Sequence, residues 1–312
     1  MPKNTKAALA DLDKLTTLRD QPEALQPHAL KLIRARQNTM AVASALRALT
    51  EESLITPELR PLLLETYAYY DADGVKRDPT DAARCAVLEA LHEVIRQEDI
   101  PLLERALTTY ERIPPFFAEE AGLLRAAALV VLTRLDPLLA TYHAARLLNE
   151  PIEVLAGEPH LTAVRVLVGQ NQRVPIYAYV MQPTLNKPEP LGEALRQLSE
   201  LPTALMDGVI RRHGESESDI VLAGMFDLLI GHDAWERYLP VLADYLQKPI
   251  SLPAYRYLIT ALIASRRAEY LTALIAAAHS ERDALRKAAL AETLALLEND
   301  PHVKSMLAAL RR

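Results

Sequence analysis

Apolar residues return along the chain three or four positions apart, and strict alternation of Val, Ile and Thr is missing. That pattern predicts helices and no strands. Three helices are expected first, near residues 6–19, 22–35 and 38–49. A phrase then recurs: PLLLETY at 61–67, PLLERAL at 101–107 and PLLATYH at 137–143. Proline is tolerated at the first helical position, where the missing N–H has no intrahelical partner. Pro61, Pro101, Pro137, Pro175, Pro202 and Pro240 are therefore each read as opening a helix, with successive gaps of 40, 36, 38, 27 and 38 residues. Asp136, just before Pro137, is a suitable N-cap.

A second helical series lies between the first: DPTDAARCAVLEAL at 78–91, EEAGLLRAAALVVL at 119–132 and GEPHLTAVRVLVG at 157–169. Their arginines, Arg84, Arg125 and Arg165, stand 41 and 40 residues apart, each followed by small or apolar residues. ERDALRKAAL repeats the phrase around Arg286, and PAYRYLITAL repeats it more loosely around Arg256. Asp78 before Pro79 reads as a helix start. Residues 123–132 are apolar nearly all round, as are 220–230 apart from Asp227. A helix with no polar face is covered on most sides. Two helices per period of about 35 to 40 residues is the signature of an α-solenoid, in which stacked pairs bury what one pair cannot. The chain is accordingly expected to be all-α: a helical cap over residues 1–56 and a repeat array over 57–312, continuous with it as one elongated domain. Irregular connections are expected at 149–160 and 182–190.

The phrase Asp, five residues, Arg, then small and apolar residues resembles the second helix of HEAT repeats, an armadillo-like helical family. Asp78 with Arg84 matches that spacing, and Glu119 with Arg125 is a conservative variant. Arg165 and Arg286 depart from it, having Pro159 and Ser280 at the acidic position. The resemblance implies that Asp78, Arg84, Glu119, Arg125, Arg165 and Arg286 form a polar ladder between helices. It also implies a scaffold whose concave surface, lined by the second helix of each pair, binds a protein or peptide.

Composition narrows the remainder. The formal charge is −6, from 35 basic and 41 acidic residues. That argues against a nonspecific grip on nucleic acid, which needs a positive field, although a local basic patch is compatible with it. A single cysteine, Cys85, excludes an internal disulfide framework and suits a reducing cytoplasm. No apolar stretch reaches the ~18 residues of a membrane span, and the N-terminus carries no secretory pattern.

Candidate chemistry is sparse. Glu89 and His92 put two ligand types on one helical face, as in di-iron bundles, but no second Glu-x-x-His accompanies them. No metal or cofactor is expected. Cys85 and His92 are seven residues apart on one helix, roughly 10 Å, too far for a nucleophile and its base. Nucleotide-binding and nucleophile-elbow motifs are absent. Basic clusters at Arg34 and Arg36, Arg211 to His213, Arg266 and Arg267, and Arg311 and Arg312 fall near expected helix C-termini, where cations suit the dipole. Trp235, the only tryptophan, could form a stacking or partner platform with Tyr238; Tyr177 and Tyr179 are further binding candidates. The leading expectation is thus a non-catalytic protein-binding scaffold. The alternatives are a HEAT-like DNA glycosylase for alkylated bases, which a basic channel beside Trp235 would favour, and a subunit resembling HEAT-like bilin lyases, which rests on fold analogy.

Overall fold

The computed structural model describes residues 3–113, 118–150, 157–183 and 187–295. The architecture is all-α, and the chain divides into two compact units, Met1–Gln172 and Arg173–Arg312. The first contains α1 (Lys3–Thr17), α2 (Pro22–Ala35), α3 (Thr39–Glu51), α4 (Arg60–Asp71), the single turn α5 (Gly74–Arg77), α6 (Ala82–Leu91), α7 (Ile100–Leu107), α8 (Gly122–Leu135), α9 (Pro137–Leu148) and α10 (His160–Gly169). A two-residue antiparallel pair, β1 (Arg112–Ile113) with β2 (Ala118–Glu119), precedes α8. The second contains α11 (Arg173–Val180), α12 (Pro188–Arg196), α13 (Thr203–His213), α14 (Asp219–Gly231), α15 (Trp235–Tyr245), α16 (Leu252–Ala264), α17 (Ala268–Ser280) and α18 (Ala284–Leu294). No described helix is long and apolar enough to cross a membrane.

Two kinds of helix alternate. One kind is buried on most sides. In α3, Ala41, Val42, Ala43, Ala45, Leu46, Ala48 and Leu49 are all inside, and α6, α8 and α14 are similar. The other kind buries one stripe, as α7 does with Leu103, Ala106 and Leu107. In the first unit α3 packs on α6, α6 on α8 and α8 on α10, flanked by α2, α4, α7 and α9. In the second, α12 packs on α14, α14 on α16 and α16 on α18, flanked by α13, α15 and α17.

Contacts between helices recur at a regular chain separation. Arg134, Arg146, Arg267 and Arg286 each donate to a carbonyl at or near another helix's C-terminus, respectively His92, Leu107, Ile230 and Leu246, across separations of 42, 39, 37 and 40 residues. Such carbonyls have no intrahelical donor. Where the sequence period shortens, so do the bridges: His213 donates to Val180 O (2.8 Å) and His232 to Leu201 O (2.8 Å), across 33 and 31 residues.

Three local expectations are corrected. Pro240 does not open a helix: α15 begins at Trp235, because His232 organises the turn before it, its Nδ1 accepting from Ala234 N at 2.9 Å. Pro240 is exposed and interrupts one bond of that helix. Pro79 likewise lies outside its helix. The Asp78 carboxylate reaches forward to the N–H groups of Ala83 (3.1 Å) and Arg84 (2.9 Å), so α6 starts at Ala82. Within the loop expected at 182–190, α12 begins at Pro188, a proline tolerated in the first turn; residues 184–186 lie outside the described residues, as do 151–156 of the other expected connection.

Candidate functional site

The paired arginines build the interior of the first unit. Arg84 is fully buried. It forms a bidentate pair with Glu111 (Nη1 to Oε1 2.7 Å, Nη2 to Oε2 2.6 Å) and a longer contact with Asp78 (Nε to Oδ2 3.3 Å). Arg125, also fully buried, forks onto Glu119 at 2.9 and 2.6 Å, donates to Thr109 O at 2.8 Å and covers the Tyr110 ring at 4.4 Å. Glu150 lies 3.9 Å from its Nε and also takes Arg146 and the Tyr110 hydroxyl. Each buried guanidinium thus meets one acid six residues before it and a second 25 or 27 residues after it. The β1–β2 pair ties the two sets together, since Glu119 Oε1 accepts from Glu111 N at 3.3 Å. Gly74 leaves the space this needs, because a β-carbon there would overlap Arg84 and Glu111.

Arg165 and Arg286 stand apart from that network. Arg165 is exposed. No acid occupies the sixth position before it, and the adjacent Glu158 is engaged in capping Thr162 N (3.0 Å). Arg286 is half-buried and pairs at 3.2 Å with Glu281, five residues before it and one position nearer than Ser280. Its Nη2 donates to Leu246 O at 2.7 Å, and its guanidinium lies 4.0 Å from the centre of the Tyr255 ring.

The aromatic candidates do not assemble into a platform. Tyr238 and Tyr179 are buried, and Trp235 and Tyr177 are half-buried. The Trp235 ring meets Tyr270 edge-on at 5.1 Å and carries Arg267 at 4.4 Å over its face. Ring and cation therefore hold α15 to α17. Basic residues at helix ends are similarly engaged: Arg36 pairs with Glu65 (2.7 Å), and Arg212 donates to Gln182 O. Arg311 and Arg312 lie outside the described residues.

The strongest candidate site is a groove across α3, α6 and α8, with a volume of about 540 Å³. Ala82 and Cys85 of α6 and Ala126 and Ala127 of α8 form its small-residue floor. Leu123 and Val130 rise beside it, 51% and 44% exposed. Their spacing of seven residues puts them on one face of α8, two turns apart. Arg47 and Thr50 of α3 form the opposite wall, with Arg47 Nε 3.4 Å from Glu89 Oε2. His92 and Glu93 close the end, His92 Nδ1 lying 3.3 Å from Glu93 Oε1.

Asp81 lies at the floor of this groove, 2% exposed and with a left-handed φ of 51°. Its Oδ2 accepts from Leu124 N at 3.1 Å, so it caps α8 from the start of α6. Burial pushes its carboxyl up to about 7, opposed by the Leu124 N–H and Arg84. Burial, then Asp81 and Glu89, raise the Cys85 thiol well above its ordinary value. A thiol so held stays protonated, the reverse of what a nucleophile needs. Glu89 is engaged with Arg47, and among the described residues no group of His, Cys, Asp and Glu is placed to hold a metal ion. The arrangement suits contact with a partially apolar ligand surface. Sequence reading missed Arg47, Asp81, Leu123 and Val130; the one available signal was an apolar pair seven residues apart on a helix without a polar face.

Compared with protein-family models, with curated proteins and with solved structures, the chain matches none.

Proposed function

We propose that the chain is a HEAT-like α-solenoid scaffold that binds a protein partner in the cytoplasm, using the surface presented by its mostly buried helix series. Two regularities support the repeat reading: successive packing of α3, α6, α8 and α10, and carbonyl bridges 37 to 42 residues apart. Repeat arrays present extended surfaces to partners. The observation that carries the binding reading is the exposed pair Leu123 and Val130 beside the groove. Two large apolar side chains left in water along one helix face, above a floor of small residues, mark an interaction surface. The stacking role considered for Trp235 has less support, since Arg267 and Tyr270 occupy its ring.

A photoreactive amino acid in place of Val130, introduced in cells that make the protein, tests the reading. A discrete protein adduct is expected there. None is expected from the same residue in place of Leu138, which is exposed on the flanking helix α9. Equal adducts at both positions, or adducts at neither, would overturn it.

A further inference from the structure

We infer that the groove takes an amphipathic α-helix with a basic flank, lying along α6 with its apolar stripe against Leu123 and Val130. The inference rests on the partner-binding reading above and names the partner's chemistry.

Shape selects a helix. The floor and both walls are helical, with backbone groups bonded along their own axes, so an extended segment finds no sheet edge to pair with. A helix satisfies its own backbone and offers side chains at i, i+3, i+4 and i+7, the spacing of the ridge it must meet. The floor helix α6 has 10 residues, about 15 Å, which matches a segment of about three turns.

Charge selects a basic flank. Asp81, Glu89 and Glu93 line the groove, against Arg47 alone. Asp81 is 2% exposed and its Oδ2 is taken by Leu124 N, so Glu89 and Glu93 are the carboxylates an incoming cation meets; Arg134 approaches Glu93 at 3.9 Å from outside the lining. Glu89 and Glu93 are exposed, and their contacts with Arg47 and Arg134, at 3.4 and 3.9 Å, are long enough to be exchanged for a new cation. Glu89 lies in the last turn of α6 and Glu93 two residues beyond it, where the helix dipole adds negative potential that Arg134, on the His92 carbonyl, offsets in part. A lysine or arginine on the incoming helix gains from all three.

Fluorescent peptides of about fourteen residues, roughly four turns, test this by anisotropy titration against the full chain. One carries leucines at helical spacing with lysine flanks; the second replaces lysine by glutamate; the third is the lysine peptide with a central proline. The leucine–lysine helix is expected to bind about tenfold tighter than the other two. Leu123→Asp, which alters an exposed side chain, is expected to weaken it by about tenfold. Glu89→Lys with Glu93→Lys is expected to reverse the charge preference, and both variants are checked for native circular dichroism. Stronger binding of the glutamate peptide, still lost in Leu123→Asp, would overturn the basic flank and leave the groove as a partner site. Equal binding of the proline peptide would overturn the helical occupant alone. Binding that ignores both variants, or no binding by any peptide, would overturn the proposal, and the photocrosslink at Val130 then decides separately whether the groove binds a partner at all.

Discussion

In the first unit two arginines are fully buried, each held by carboxylates from two parts of the chain; Asp78, Asp81 and Glu119 are buried too, as is Asp99, which pairs with Arg60. In the second unit the described residues include no buried arginine, aspartate or glutamate; the buried histidines are His213, on the last carbonyl of α11, and His232, on the Leu201 carbonyl in the connection before α13. Backbone meets backbone closely there. Gly192 of α12 faces Gly224 of α14, and a β-carbon on Gly224 would overlap Gly192 O and lie 2.8 Å from Gly192 Cα. One set of neighbouring helices is held by a charge network, another by the absence of side chains. Desolvating the charges costs several kcal/mol per ion and returns little net stability, but it penalises any register that breaks a pair. The glycine contact gains dispersion over a flat, close surface, and its register is enforced by overlap.

The sharpest way to break this contrast is to remove a buried guanidinium. Arg84→Ala leaves the buried Asp78 and the half-buried Glu111 without their cation beside a void and is expected to destabilise the protein by about 3–5 kcal/mol, read from urea unfolding by circular dichroism. Arg286→Ala, at a half-buried position, is expected to lose about 1–2 kcal/mol. Equal losses would show that the two units do not differ in what their arginines carry.

Next in size is the glycine contact. Gly224→Ala has no room for its methyl group and must push α12 from α14, at a cost of about 1–3 kcal/mol. Trp235, the only tryptophan, lies in the same unit and reports that transition by fluorescence. An unchanged midpoint would mean that the close approach contributes nothing.

Asp81 gives a smaller effect with a pH signature. Its folded value, about 7, lies above the ordinary 3.8, so the folded state holds the proton more tightly than the unfolded chain. Stability therefore falls as pH rises from about 4 to about 7, and the penalty is complete above that window. Asp81→Asn keeps an acceptor for Leu124 N and removes the charge. It is expected to match the wild type near pH 4 and to exceed it by roughly 2 kcal/mol at pH 8. A melting-temperature gap that does not widen with pH would refute the assignment.

What the sequence made legible follows from range. Helices were legible because period and proline placement are local, and the acid six residues before Arg84 or Arg125 was legible for the same reason. Glu111 and Glu150 were not: they lie 27 and 25 residues further on, in connections without periodicity, and only the fold brings them back. Gly74 carried no signal because its role is to make room for a pair formed by other residues. The groove needs three helices in register, so Leu123 and Val130 read as two more apolar positions on a helix expected to be covered all round. Asp227 was nearer to being readable. An acid in the middle of the apolar helix α14 needs a reason, and it has one in Arg196 Nε at 2.6 Å and the Tyr257 hydroxyl at 2.7 Å.

That last cluster supplies the smallest comparison. Arg47 with Glu89 joins α3 to α6 in the first unit, while Arg196, Asp227 and Tyr257 join α12, α14 and α16 in the second. Both sit on the open face of the mostly buried helices, both are partly solvated, and neither is expected to matter much to folding. Arg47→Ala breaks one long contact between two half-exposed groups and is expected to cost less than about 0.5 kcal/mol. Arg196→Ala breaks the shorter α12–α14 bond to Asp227, at 2.6 Å, and Glu193 at 2.8 Å also loses its partner, while the Tyr257 bond to Asp227 remains. Its expected cost is about 0.5–1 kcal/mol, reduced by added salt. If Arg47→Ala proves the more damaging, the wall of the groove is a structural strut, and its charges are not free to be exchanged for those of an incoming helix.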